Sequence, residues 1–193
     1  HKGFSPPGAV EGADVENSIN YEAGFRFTKK ALSGEIIGFY NDFSNLQGAD
    51  TNASGGTGTG DLFNAGKAEV SGVEVLVSYD ILHDMSSKIK LPITATYTFT
   101  NTELKSNFES GTEAWGEIEV GDEIPYIPKN QFAIVAGLEY QKFTISLSGK
   151  YTDEFRTVAG QGPIPANQLI KSNFIVDASA KYFLTEKVSL MTN

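Results

Sequence analysis

Apolar and polar residues alternate with period two along seven or eight segments of this chain, most clearly over residues 88–100. One set there is Ile89, Leu91, Ile93, Ala95, Tyr97 and Phe99, and the other is Lys90, Pro92 and four threonines. Because successive side chains of a strand point to opposite faces of the sheet, this segment predicts a strand with one apolar and one polar face. A β-sandwich strand shows the same alternation, so the pattern alone does not identify the environment of either face.

The same alternation predicts further strands over residues 18–28, 33–43, 67–79, 131–141, 143–152 and 173–182, and the start of another near Lys187. Within 33–43 the pattern is noisier, although Ile37 and Phe39 share a face. The predicted connections alternate short and long, and the long ones cover residues 45–66, 103–130 and 157–172. Outer-membrane barrels have short periplasmic turns and long extracellular loops, so repetition and loop rhythm together favour a transmembrane antiparallel β-barrel.

The two predicted faces differ in character. Aromatic residues gather near the short-turn ends, as expected of an interfacial girdle: Phe27, Tyr79, Tyr140, Phe143, Tyr182 and Phe183. The polar face carries Thr, Ser, Gly, Asn and charged residues without bulky apolar ones, which predicts a hydrated or plugged lumen. We assign Arg26, Glu74 and Lys150 to this lumen face.

Composition narrows the possible functions of the chain. Its 193 residues suit one domain, and cysteine is absent, which excludes thiol catalysis, cysteine-ligated metals and disulfides. A net charge of −9 and a pI near 4.7 argue against a nucleic-acid partner. Mean hydropathy is −0.21, and no stretch approaches the ~18 consecutive apolar residues of a membrane helix. Because the chain opens in a Pro/Gly-rich loop and ends inside an apparent strand, we expect it to be a piece of a longer protein.

Chemistry-bearing motifs are few, and we predict no enzyme, no catalytic residue, no cofactor and no metal site. No Ser/His/Asp set converges, and the histidines His1 and His83 lie far apart. The Gly-rich run 55–60 lacks the Gly-Lys-Ser/Thr of a phosphate-binding loop, so it predicts a surface loop. Asp122–Glu123 and Asp153–Glu154 lack flanking ligands at loop spacing and are interpreted as solvated carboxylates.

Six segments, in order along the chain, resemble the C-terminal half of TonB-dependent outer-membrane receptors of the ferric dicitrate and siderophore branch. They are 1–8 (HKGFSPPG), 17–26 (NSINYEAGFR), 39–46 (FYNDFSNL), 63–74 (FNAGKAEVSGVE), 121–131 (GDEIPYIPKNQ) and 148–154 (SGKYTDE). Each segment alone is a weak indicator. Their shared order and spacing, over nearly the whole chain, make the resemblance strong.

The resemblance implies a fragment of about eight strands from a barrel of roughly 22 strands whose lumen is occluded by an N-terminal plug. Residues 1–193 are then part of that barrel domain, without the plug. The whole receptor is expected to reside in the outer membrane of a Gram-negative bacterium and to import ferric chelates. Its expected partners are the chelate, the plug, an inner-membrane energy-coupling protein acting through the plug, and outer-membrane lipid and lipopolysaccharide.

Arg156, one of only two arginines, follows a strand at its long-loop end. A guanidinium there could pair bidentately with carboxylates of an iron–citrate ligand, which makes Arg156 the candidate ligand-binding residue. The alternative is a rim arginine paired with Glu154 or with lipopolysaccharide phosphate. Arg26 and Lys150 are expected to pair with lumen carboxylates or to touch the plug.

Three other classes of protein remain open from the sequence. One is a self-contained eight-stranded outer-membrane barrel acting as an adhesin or structural protein. Another is a passive porin, and the third is a soluble β-sandwich that acts as a binding module.

Overall fold

The protein, as given by a computed structural model, is described here for residues 2–5, 15–49, 62–64, 66–83, 88–109 and 115–192. The Gly-rich run 55–60 lies outside the described residues. Strands dominate, and a 3₁₀ turn lies at Ala166–Gln168. Among the described residues no helix is long and apolar enough to cross a membrane.

One ten-stranded antiparallel sheet forms the body of the structure. Consecutive long strands pair in order along the chain, as in an up-and-down meander. The strands of this sheet are β1 (Lys2–Ser5), β2 (Glu16–Lys29), β3 (Leu32–Ser44), β6 (Ala68–Asp80), β7 (Ile89–Lys90), β8 (Pro92–Leu104), β11 (Asn130–Tyr140), β12 (Phe143–Thr152), β15 (Asn173–Phe183) and β16 (Ser189–Thr192). This single sheet contradicts the β-sandwich alternative, which requires two packed sheets.

The sheet is open in the described part of the chain, where no pairing joins β1 to β16. Its ten described strands exceed the eight of the closed-barrel alternative. The all-β antiparallel prediction is confirmed.

Short and long connections alternate as predicted. Two-residue turns at 30–31 and 141–142 join β2 to β3 and β11 to β12, and in each the first residue, Lys30 or Gln141, has φ of 53°. The long connections carry three small hairpins of their own, each at the same end of the sheet. These are β4 (Gln47–Ala49) with β5 (Leu62–Asn64), β9 (Phe108–Glu109) with β10 (Glu117–Ile118), and β13 (Phe155–Arg156) with β14 (Leu169–Ile170).

Cross-strand register divides the side chains between two faces, because directly paired residues of an antiparallel sheet lie on the same face. We call one face the apolar face. It carries Val73, Val75, Val77 and Tyr79 of β6 and the residues that pair with them in the neighbouring strands. A representative row is Phe25, Ile36, Val75, Tyr97, Phe132, Tyr151 and Phe174. The opposite polar face is represented by the row Thr28, Ser33, Ser78, Thr94, Val135, Ser148 and Asp177.

The polar face is less uniform than predicted. Ile37 and Phe39 do share a face, but it is the polar one, where Ile37 pairs with Glu74 and Phe39 pairs with Gly72. The expectation that this face has no bulky apolar residues is therefore wrong, and Leu76, Val135 and Ile175 add to them. The physical reason is local: the Phe39 ring fills the space above Gly72, where an added Cβ would lie 2.6 Å from it.

Most of the predicted aromatic girdle lies on the apolar face near the short turns. Phe183 is the exception, because its neighbour Tyr182 pairs with Phe143 on the apolar face, which turns Phe183 to the other side. There the Lys181 ammonium lies 4.5 Å from the Phe183 ring centroid. On β16, Phe183 pairs with Ser189.

Candidate functional site

The long connection between β8 and β11 folds against the polar face at the long-loop end. Its anchor is a small buried core of Ala68, Leu104 and Ile118, which are at most 2% exposed. Phe43, Ala68 and Leu104 are register partners on the polar side of the sheet, so Ile118 is held above that side. Partly buried apolar residues from β3 and from all three long connections surround the core: Phe43, Leu46, Phe108, Trp115, Ile124 and Ala159. The loop therefore covers part of the polar face at the long-loop end of the sheet, which we call the mouth.

Asp122 is a structural residue in this loop. It is buried, its carboxylate accepts a hydrogen bond from the Glu119 amide at 2.9 Å, and its carbonyl accepts one from the Leu104 amide at 2.7 Å. Next to it, the Ile124 amide donates to the Thr102 hydroxyl at 3.0 Å. These bonds close the turn onto the end of β8. The interpretation of Asp122 as a solvated carboxylate is wrong, because backbone donors hold it inside the loop.

Arg156 lies where the connection between β8 and β11 meets the connection between β12 and β15. Its side chain is only 3% exposed, its Nε donates to Glu123 Oε2 at 3.0 Å, and its Nη2 donates to the Gly162 carbonyl at 3.1 Å. Glu123 in turn accepts Lys129 Nζ on its other oxygen, Oε1, at 2.5 Å. The carboxylate partner of Arg156 is thus Glu123, and not Glu154 as in the rim-arginine alternative. We call Lys129, Glu123 and Arg156 the mouth triad.

The charges of the mouth triad determine the ionisation of its carboxylate. Partial burial by itself would raise the pKa of Glu123, but hydrogen bonds from Lys129 and Arg156 hold that pKa below its ordinary value. Glu123 is therefore the anion of the triad at neutral pH, and its interpretation as a solvated carboxylate is also wrong. Within the triad, two cations face one carboxylate, and Asp153, whose pKa the charge of Lys129 also lowers, is a further anion near the lysine.

Backbone hydrogen bonds join the two long connections around this triad. The Glu123 amide donates to the Gly160 carbonyl at 3.0 Å, and the Tyr126 amide donates to the Arg156 carbonyl at 2.8 Å. Gln161 adds a side-chain bond to the Val120 carbonyl at 3.1 Å. The connections therefore form one packed unit over the mouth.

Tyr126 stands out within this unit. Its φ is +63°, in the left-handed region that an aromatic residue rarely adopts, and its ring lies 6.4 Å from that of Phe155. The ring is about half exposed, at 47%. Such strain persists only where the surroundings over-determine the backbone, here through the bond from its amide to Arg156.

A second polar network braces the sheet at the same end. Asn130 donates to Asp153 Oδ2 at 2.6 Å and accepts the Tyr97 hydroxyl at 2.7 Å, while the Tyr151 hydroxyl donates to Asp153 Oδ1 at 3.2 Å. The bond from Asn130 is the main reason that the pKa of Asp153 lies below its usual value. Asp153 thus ties β8, β11 and β12 together and is not the solvated carboxylate that we expected.

The three residues assigned to the lumen all lie on the polar face. Arg26 pairs in register with Glu35, and its Nε donates to Glu35 Oε2 at 2.6 Å. Glu74 is flanked by Ile37 and Thr98 in neighbouring strands. Lys150 lies between Ala133 and Ile175. That this face borders a lumen stays a prediction.

The sequence did not single out Glu123, Lys129 and Tyr126 as site residues. All three lie in the segment 121–131, which was quoted only for its resemblance, and its charges and two prolines around an aromatic residue were the available signal. The contact of Glu123 with Arg156 could not be read from spacing, since 33 residues separate the two. Within the described residues, no group of three or more His, Asp or Glu side chains could hold a metal ion.

Comparison with known proteins identifies one family for nearly the whole chain. The family described as TonB dependent receptor-like, beta-barrel, matches residues 3–193. No curated protein matches the chain by sequence.

Similar solved structures include the ferric yersiniabactin uptake receptor FyuA from Yersinia pestis, at 17% identity and a TM-score of 0.65, covering 98% of this chain and 27% of that one. The ferric citrate transporter FecA in its unliganded form gives 19% and 0.63, with 90% of this chain and 24% of that one. The copper transporter OprC gives 12% and 0.62, with 93% and 25%. The chain therefore spans about a quarter of these proteins, and at such identities the likeness shows the fold alone: a fragment of a larger barrel.

Proposed function

Because the chain belongs to the TonB-dependent receptor β-barrel family, we propose that it forms part of an outer-membrane receptor that binds and imports ferric chelates of the siderophore or ferric citrate class. Members of this family are transporters and receptors, and we assign no enzymatic step to the chain. The chain supplies part of the barrel wall and two of the loops over its mouth.

The observation that carries this proposal is a broad apolar face that none of the described residues covers. Phe25 is 67% exposed, Leu147 51% and Phe174 61%, although these residues lie on three different strands of that face. Monomeric soluble proteins rarely expose contiguous apolar patches larger than a few hundred Å². Lipid on this face and water or protein on the polar face would satisfy both sides of the sheet.

The polar face and the covered mouth fit the other half of the proposal. A plug inside the barrel would meet the threonines and serines of the polar face together with Arg26, Glu74 and Lys150. An inner-membrane energy-coupling protein would act through that plug, and lipopolysaccharide would surround the outer rim. The net charge of −9 argues against nucleic acid as a partner.

We propose that Arg156 belongs to the chelate-binding end of the receptor, with a condition that the structure adds. Its guanidinium is buried between the long connections and engaged by Glu123 and Gly162. Direct contact with a ferric chelate would require this ion pair to open, or the chelate to reach the pair through the loops.

The proposed orientation predicts which ends of the strands are accessible on intact cells. In the full-length receptor, Asn167→Cys lies on an exposed turn in the connection after β12, and Lys142→Cys lies in the tight turn at the other end. We expect an impermeant maleimide to label Asn167→Cys on intact cells and Lys142→Cys only after lysis. The reverse result would invert the barrel, and labelling of both on intact cells would contradict the membrane placement.

Ferric-chelate import is tested by deleting the complete gene in a strain without redundant receptors. We expect growth under iron starvation to be lost on one ferric chelate and kept on the others, and to return when the gene is restored. A parallel culture limited for copper provides a comparison, because OprC is a copper transporter. Unchanged growth on every ferric chelate would remove the proposed function.

A further inference from the structure

The two cations of the mouth triad are not equivalent. The side chain of Arg156 is 3% exposed and that of Lys129 is 47% exposed, although both donate to the same carboxylate, that of Glu123. A ligand arriving from solvent therefore meets the lysine and not the arginine.

Lys129 lies on the polar side of the sheet, at the start of β11. Its carbonyl accepts the Thr100 amide at 2.9 Å, and the residue two positions further along, Gln131, pairs with Thr98 on the polar face. Lys129 approaches the mouth from the same side, because its ammonium reaches Glu123 in the loop folded over that face.

We propose that the Lys129 ammonium contacts an anionic group of the bound ferric chelate and that Arg156 is a positioning residue that acts through Glu123. This inference rests on the proposed function and names the ligand class at its mouth: a chelate with carboxylate or other anionic oxygen donors. It assigns the contacting role to Lys129 and an indirect role to Arg156.

The chemistry of the triad supports this division of roles. An ammonium has three N–H donors, and Glu123 Oε1 occupies one direction of Lys129, so donors remain for a ligand. Arg156 occupies the other oxygen of Glu123, Oε2, and fixes the carboxylate against the loop. Without Arg156, the Glu123 carboxylate would lose its buried anchor and would pair with Lys129 alone. That pairing would neutralise the lysine charge that the ligand needs.

Ferric-chelate binding to the full-length receptor tests the role of Lys129. The anionic probes are ferric citrate and a ferric tris-catecholate, and the uncharged probe is a neutral ferric tris-hydroxamate. We expect Lys129→Gln to raise the dissociation constant for the anionic probe that the receptor binds about three- to tenfold, because the contact is charge-assisted but partly exposed. Lys129→Arg should keep most of the affinity.

Lys105→Gln is the matched control. Lys105 is also a salt-bridged lysine at the long-loop end, with Glu69 at 3.0 Å and Glu103 at 2.8 Å. Glu69 pairs with Glu103, and the next pair on the same face is Ser71 with Asn101, on the apolar side. Lys105 therefore lies on the opposite face of the sheet from the mouth triad. Its replacement removes one charge and two ion pairs and should leave chelate affinity unchanged. An equal loss in both variants would overturn the inference.

The positioning role of Arg156 has a separate readout. Arg156→Gln should weaken binding of the anionic probe, and Arg156→Gln with Lys129→Gln should be no weaker than the worse single variant, because both act through one contact. The loss should shrink at high salt. Additive losses that persist at high salt would show that Arg156 contacts the chelate itself or only supports folding, and would overturn the inference.

The outcomes distinguish this inference from the proposed function. A receptor that supports growth on a ferric chelate but binds only the neutral probe, or binds anionic probes equally well with Lys129→Gln, overturns the inference and leaves iron import intact. Loss of the growth phenotype on gene deletion is a separate measurement, and its absence would overturn both.

Discussion

Ile134→Arg in the full-length receptor should lower the free energy of unfolding in lipid by about 2–4 kcal/mol, whereas Val135→Arg should cost clearly less. Ile134 lies near the middle of β11, between Ala95 and Gly149 on the apolar face. An arginine there would carry its charge into hydrocarbon, which is most costly near the bilayer midplane. Val135 lies between Thr94 and Ser148 on the polar face, where a guanidinium stays among polar groups.

This pair of substitutions is closely matched. The two residues are adjacent, both are β-branched, and they are 36% and 43% exposed in the chain by itself. Folding titrations into lipid bilayers measure both variants against the unmodified receptor. Equal losses, or a greater loss for Val135→Arg, would show that the apolar face is not the lipid-facing one.

Ile118→Ala should destabilise the loop over the mouth by about 2–5 kcal/mol, the usual cost of removing a buried isoleucine side chain. Ile118 is 2% exposed and packs on Leu104 and Ala68, which join the loop to the end of the sheet. The loss should appear as local opening, because the ladder of the long strands does not depend on this contact.

Hydrogen exchange of loop amides measures this opening. The Leu104 and Gly121 amides, which bond to the Asp122 and Leu104 carbonyls, should lose protection in Ile118→Ala. Val120→Ala is the control, since Val120 lies on the same loop and is 51% exposed. Unchanged protection in Ile118→Ala would mean that the loop is held by its hydrogen bonds rather than by its core.

The strands and their facing were largely readable from the sequence, because period-two alternation is a local property of an extended chain. Val73, Val75, Val77 and Tyr79 read as one face, and the register of the sheet places them on one face. The alternation of short and long connections was also readable, because connection length is a local property. Two strands separated by a few residues, as at 141–142, predict a tight turn, whereas a long run of turn-forming residues predicts a long connection. The family match then identified the sheet as part of a TonB-dependent receptor β-barrel.

Two of the departures concern single aromatic residues on the polar face. Phe39 lies on the polar face because the register of β3 against β6 pairs it with Gly72 there, and the glycine leaves room for its ring. Phe183 lies on the polar face because it follows Tyr182, which pairs with Phe143 on the apolar face, and adjacent strand residues point to opposite faces.

The mouth was decided by tertiary structure alone. Alternation says nothing about where a long connection folds, so the packing of Ile118 on Leu104 and the meeting of Arg156 with Glu123 had no signal in spacing. The sequence by itself determined a two-faced sheet with loops at one end, because strand periodicity is local. The structure determined which charges face one another across the mouth, because long-range packing brings them together.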